Sequence, residues 1–247
     1  MAIRSTHEAA LVSLSNGAGA IRSSHESFLI SVTAPLVGIT YPLTAPAISG
    51  LGPQDFTMSE VNVVGETESP FTLSQQEQQW LGQMLRIEAN LPPMLYAQAE
   101  QWISFLGALF GKFGTFLIGD YNRPTPQGPL SGSPVSIGGA NVAGLNQLNV
   151  GGAAASIANW AVAGDYIQLT VPGYPQRIYK ILQNASTDSL GEVVLQIFPN
   201  IRETIPSLTT IVTTNCKGTF RLQDNTLPWK VDKNKVYTVS FKAKEAI

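Results

Sequence analysis

Between residues 91 and 120 the apolar positions follow first a helical period and then a strand. Leu95, Ala99, Trp102, Leu106 and Leu109 recur at alternating steps of four and three, which puts them on one face of a helix. Glu100, Gln101, Ser104 and Ala108 fall largely on the other side. Pro92 and Pro93 suit the entry, because proline is tolerated before or in the first helical turn and not later. Gly111 and Gly114 bracket Lys112, a stop with a cation near the negative helix end. The spacing predicts a helix over 95–110. Thr115-Phe116-Leu117-Ile118 is then a short apolar run closed by Gly119-Asp120. Together they predict a helix laid across a sheet that the next strand joins. The expected core is Leu95, Ala99, Trp102, Leu106, Leu109, Phe116 and Ile118.

Elsewhere strand signals dominate. Residues 61–64 read as a strand before a turn-rich stretch over 65–70, and 80–89 alternate like a strand although they also fit a helix. Residues 165–171, 176–182, 192–198 and 209–214 read as four strands, with turn signals at 172–175 and 188–191. Strands at this spacing without helices predict a small antiparallel barrel or sandwich. Two more strong strands, 218–222 and 237–243, flank Pro228-Trp229-Lys230-Val231-Asp232. They need a sheet, and the body around Trp102 and Phe116 has few strands of its own. The C-terminus is therefore expected to return to that body.

The first residues contain a repeat. Ala2-Ile3-Arg4-Ser5-Thr6-His7-Glu8 returns as Ala20-Ile21-Arg22-Ser23-Ser24-His25-Glu26, a period of eighteen residues. Each copy leads into an apolar strand, whose faces Ala10, Val12, Leu14 and Phe28, Ile30, Val32 are candidate interfaces. Two strands are marginal in water without something to pack on. The expected chain is mainly β with one principal α-helix. It comprises a β-barrel or sandwich body, an inserted small antiparallel β-domain and an N-terminal strand-repeat extension. The expected divisions are 1–33 for the repeat, 34–57 for a Pro/Gly-rich connector, 58–122 and 216–247 for the body, and 123–215 for the insertion.

Charge narrows the function classes. Charged residues are 13% of the 247, with a net charge of −2, and no basic run offers a footprint for nucleic acid or anionic lipid. Neither a membrane span nor a signal peptide is legible. Cys216 is alone, so no internal disulfide or cysteine-based zinc cluster is expected. Beside Lys217 its thiol pKa could be lowered, but a lone cysteine in a β-rich chain is more often a small buried hydrophobe. His7 and His25 are the two histidines, too few ligands for a good metal site. A serine triad lacks its G-x-S-x-G and its base. Asp120, Asp165, Glu192 and Glu203 stand at turns and strand ends, where capping outweighs catalysis. No catalytic residue, cofactor or metal is expected. Trp160 and Trp229, near turns, are candidates for an interface or a sugar-stacking platform.

LPPM at 91–94, a helix holding Glu100-Gln101-Trp102 and Phe105-Leu106, and GTFLIGD at 114–120 before a Pro-rich turn resemble, in that order, the body of phage distal tail proteins. AGDYIQL at 163–169, RIYKIL at 177–182, GEVVLQIFP at 191–199 and IRE at 201–203 are similar to the small β-domain of many siphophage members. KGTFRL at 217–222, WKVD at 229–232 and YTVSFKAKEA at 237–246 are similar to the terminal strands. The resemblance spans residues 58–247; the N-terminal repeat is a departure from it. It implies a ring, usually a hexamer, at the virion's tail tip, assembled in the host cytoplasm. The implied partners are other copies of the chain, the tail tube protein and the tail hub. The repeat would add peripheral receptor-binding or fibre proteins. No nucleic acid or membrane insertion is implied. The alternative expectation is a carbohydrate-binding β-module of a phage adhesion device.

Overall fold

The computed structural model describes residues 38–46, 52–138 and 141–247. Ala10, Val12, Leu14, Phe28, Ile30 and Val32 lie outside the described residues. The chain divides into two compact units after Thr40, and the second, Tyr41–Ile247, holds all the described strands and the helix. In order these are β1 (Leu43–Thr44), β2 (Asp55–Glu68), β3 (Gln75–Asn90), α1 (Tyr96–Gly107), β4 (Phe116–Ile118), β5 (Gly132–Ser136), β6 (Gln147–Ala153) and β7 (Tyr166–Leu169). There follow β8 (Arg177–Ile181), β9 (Val193–Phe198), β10 (Ile211–Val212), β11 (Gly218–Leu222), β12 (Trp229–Val231) and β13 (Tyr237–Glu245). The chain is mainly β with one helix.

The first sheet runs β1-β4-β11-β13-β3-β2, with β12 paired to the start of β13. The closing strands thus return to the sheet of the first half: Phe220 of β11 lies opposite Phe116 of β4, and β13 pairs with β3 from Lys244/Arg86 to Ser240/Asn90. The sheet is solvated on one face and covered by α1 on the other, as the alternating burial of β13 records. On the covered face Trp102 stacks on Phe241 at 6.0 Å and meets Phe105 edge-on at 5.9 Å. Ala99, Trp102, Leu106, Leu109, Phe116 and Ile118 are all buried there.

Leu95 is a correction. It is the extended N-cap residue before α1 and is 66% exposed. A side chain ahead of the first turn does not share the helical stripe, and Leu91 and Met94 fill the core beneath it. The helix also ends earlier than its apolar period, at Gly107. The N–H groups of Leu109 and Phe110 bond three residues back, to Leu106 and Gly107, which tightens the exit. Phe110 and Gly111 then turn into the left-handed region, at φ 49° and 67°. Leu109 is buried from this turn rather than from the helix.

The second sheet runs β10-β7-β8-β9-β6-β5. A bridge between Val135 and Thr210 joins its end strands and closes a small barrel. Trp160, Tyr179, Ile167, Ile181, Leu148 and Leu195 fill its interior. Trp160 is a second correction: its indole is fully buried and its Nε1–H donates to the Ser131 carbonyl at 2.9 Å, so it is core and not a surface platform. Asp165, expected at a turn, is buried and accepts backbone N–H groups from Gln127, Gly128 and Val162. It ties the incoming linker to the barrel.

Barrel and body are joined by buried charge. The Arg177 guanidinium lies 3.3 Å from Glu203 and 3.5 Å from Glu245, while Arg202 reaches the other Glu245 oxygen at 3.0 Å. Arg177, Glu203 and Glu245 are each nearly inaccessible. Glu245 ends the last strand of the body, and both arginines come from the barrel, Arg177 from β8 and Arg202 from the segment between β9 and β10.

Candidate assembly surface: a projecting hairpin

The β2–β3 hairpin runs on past β13, the body strand that flanks it. The two strands pair from Asp55/Asn90 at the root to Glu68/Gln75 at the tip. The expected turn over 65–70 holds only from Ser69: β2 runs on through Gly65 to Glu68, because β3 supplies the ladder the local sequence does not advertise. The connector expected over 34–57 likewise contributes β1 and the start of β2.

β3 shows where the arm leaves the body. From Gln83 to Asn90 its residues are buried in alternation, with Leu85, Ile87 and Ala89 inward. From Gln75 to Gly82 every residue is exposed. β13 follows β3 only as far as Arg86. The eight exposed residues Gln75–Gly82 reach out by about 27 Å.

Where the arm leaves the body the register shifts between Asn62/Gln83 and Val64/Gln79. Trp80, Leu81 and Gly82 thus oppose the single residue Val63, a bulge that bends and twists the ribbon. Gln83 anchors this point. Its amide donates to Asn62 at 3.0 Å and accepts from the Asn200 N–H at 2.8 Å, and its backbone carbonyl accepts from Arg202. Lys180 of the barrel adds an ion pair to Glu60 at 2.7 Å. At the tip the Leu73 N–H donates to Ser69 and the Ser69 N–H to Ser74.

The arm carries exposed apolar residues that no described element covers: Val63, Val64, Trp80 and Leu81 near the bulge, Phe71 and Leu73 at the tip. Phe71 is 93% exposed. Between residues 55 and 85 the sequence holds Asp55, Glu60, Glu66, Glu68 and Glu77 and no lysine or arginine. Exposed apolar groups beside open ribbon edges are the features of a surface that another chain covers.

The other candidate residues fall elsewhere. Trp229 of β12 is 53% exposed, on the far side of the sheet from the arm tip along β13. With Trp160 buried, the two do not form a common platform. Asp120, Asp188 and Asp232 accept backbone N–H groups within their own turns. Cys216 is buried, its Sγ near the carbonyls of Tyr166 and Val212, and burial pushes its thiol up to about 12 rather than down. Lys217 therefore does not activate it. Among the described residues no three of His, Cys, Asp and Glu are grouped to hold a metal ion, and no helix is long and apolar enough to cross a membrane. The strands expected over 61–64 and 80–89 are parts of β2 and β3, and the outer arm extends beyond them. No protein-family model matches the chain, and no curated protein matches it.

Proposed function

We propose that the chain is a structural protein of a phage tail tip, and that copies join side by side into a closed ring through the β2–β3 arm. The arm carries this reading. A two-stranded ribbon with open edges and uncovered Trp80, Leu81, Phe71 and Leu73 gains little by projecting alone into water. It gains a buried face if a neighbour covers it. A contact between unlike surfaces, arm on one copy and body on the next, closes into a ring when the rotation between copies divides the circle. The resemblance to siphophage distal tail proteins supplies the location, the sixfold expectation and the partners: tail tube protein on one side and tail hub on the other. The role is architectural, in keeping with acids that serve turns and a cysteine that burial silences.

The test is imaging and sizing of the purified chain beside a variant in which residues 63–82 are replaced by an Asn-Gly turn, which joins the paired residues Asn62 and Gln83 directly. The full chain is expected as rings. The shortened chain is expected as a folded monomer, because β13 and α1 still hold the root. A full-length chain that stays monomeric over a concentration series and is missing from the tail tip of virions defeats the proposal.

A further inference from the structure

Two rows of like charge, one acidic and one basic, lie on separate parts of this chain, and among the described residues neither makes an ion pair. The first is on the arm. Glu66 of β2 lies directly opposite Glu77 of β3, and Glu68 follows on the same face. All three are exposed. The second is on the solvated face of the body sheet. Arg221 of β11 lies directly opposite Lys244 of β13, which lies directly opposite Arg86 of β3. Directly opposed residues sit about 5 Å apart at Cα, and like charges there are destabilising.

Among the described residues none of these six side chains makes an ion pair. The adjacent row shows that the sheet does pair charges where complements exist: Lys242 and Glu88, opposite each other, meet at 2.8 Å. The cation row also borders unmet hydrogen-bonding groups. Arg221 Nε and Thr219 Oγ1 are buried with no partner, and both residues line a cleft of 380 Å³ under the β7–β8 turn.

We infer that the acidic face of one copy's arm docks on the Arg221–Lys244–Arg86 row of a second copy. This rests on the ring reading and names its acceptor surface. The occupant is argued by sign and reach. The arm has no cation of its own between residues 55 and 85, and the row is a run of three cations without an ion pair among the described residues. Glu77 lies nine residues beyond Arg86 on β3, so an arm and its own row are about 30 Å apart along the strand. One chain cannot satisfy both. A neighbour displaced by that distance along the strand can, and its carboxylates would meet the Arg221 guanidinium in charge-assisted hydrogen bonds.

The test uses charge reversal in the full chain. Variant one carries Glu66→Lys and Glu77→Lys; variant two carries Lys244→Glu and Arg86→Glu. Each alone is expected to run as a folded monomer by light scattering, with an unchanged circular dichroism spectrum. Variant one then has two basic surfaces and variant two has two acidic ones, so a 1:1 mixture is expected to restore rings of even subunit number. Paired cysteines, Glu77→Cys with Lys244→Cys, are expected to give a ladder of disulfide-linked multimers under oxidation. Rings that persist in both single-surface variants overturn this contact while leaving the ring itself intact. So does a mixture that stays monomeric although each variant is folded. A wild-type chain without rings fails the ring reading and this inference together. Intact rings in variant two with lost retention on a heparin column would assign the row to an external polyanion and likewise overturn the proposal.

Discussion

The half of β3 from Gln83 to Asn90 and the half from Gln75 to Gly82 belong to one strand and pair with one partner, β2, yet only the first has a buried face. The inner half reads Leu85, Ile87, Ala89 against Arg86, Glu88, Asn90, and it lies between β13 and β2 under α1. The outer half reads Gln75-Gln76-Glu77-Gln78-Gln79, with no inward set at all. Backbone pairing alone is therefore enough to define a strand here, but not to give it a core. The inner half is held by the monomer. The outer half is an extension whose order gains from whatever covers it, which is why the two halves should respond differently to substitution.

The sharpest break in that comparison is Trp102→Ala on the covered side of the sheet. Trp102 is fully buried, stacked on Phe241 and edge-on to Phe105. Its removal is expected to cost about 3–5 kcal/mol of stability in denaturant unfolding. A loss below about 1 kcal/mol would mean that α1 is not the lid of the inner half.

Next is Glu245→Gln, at the end of the strand that stops where the arm begins. Glu245 answers both Arg177 and Arg202 in a buried setting. Removing its charge leaves two guanidiniums underpaired, and the expected cost is about 3 kcal/mol. Limited proteolysis should show the loss as faster cutting in the linker over 121–131, between body and barrel. Unchanged cutting together with unchanged stability would show that apolar contact, not this charge cluster, joins them.

The same contrast explains what the sequence disclosed. The helix face was legible because steps of three and four leave a stripe that few alternatives produce, and Ala99, Trp102 and Leu106 mark it. Its first residue was not legible, since Leu95 continues the period while sitting before the first turn. The barrel strands β7, β8 and β9 alternate and were visible; β5 and β6 carry Gly132, Pro134, Gly151 and Gly152, residues that weaken a strand signal. Trp160 lay near such turns and looked accessible, while closure of the barrel over it is a long-range event. The arm was hidden for a plainer reason. Glutamine and glutamate are poor strand formers, and Gly65 through Pro70 spell a turn. The charge rows were hidden more deeply, because opposition of Glu66 to Glu77, or of Arg221 to Lys244, is a matter of register, which hydrophobic alternation sets only where a face is buried.

The smallest expected effect on stability comes from the second tryptophan of the comparison. Trp80 is on the outer half, 59% exposed, with its indole over Gly65: a Cβ built on Gly65 would stand 3.3 Å from Trp80 Nε1. The ring thus shields a strand glycine across the ribbon, a weak local contact of the kind that steadies an edge. Trp80→Ala is expected to change monomer stability by no more than about 0.5 kcal/mol, since surface substitutions away from a core rarely do more. Its effect on assembly should be far larger, because an exposed tryptophan at a bulge has the area and rigidity of an interface anchor. Unfolding and ring formation should therefore separate in this variant, as they should not in Trp102→Ala, where loss of the body removes the root of the arm as well. A Trp80→Ala chain that unfolds like wild type and still forms rings at the same concentration would move the anchor to the tip residues Phe71 and Leu73. One that unfolds several kcal/mol early would mean the outer half shares the core after all.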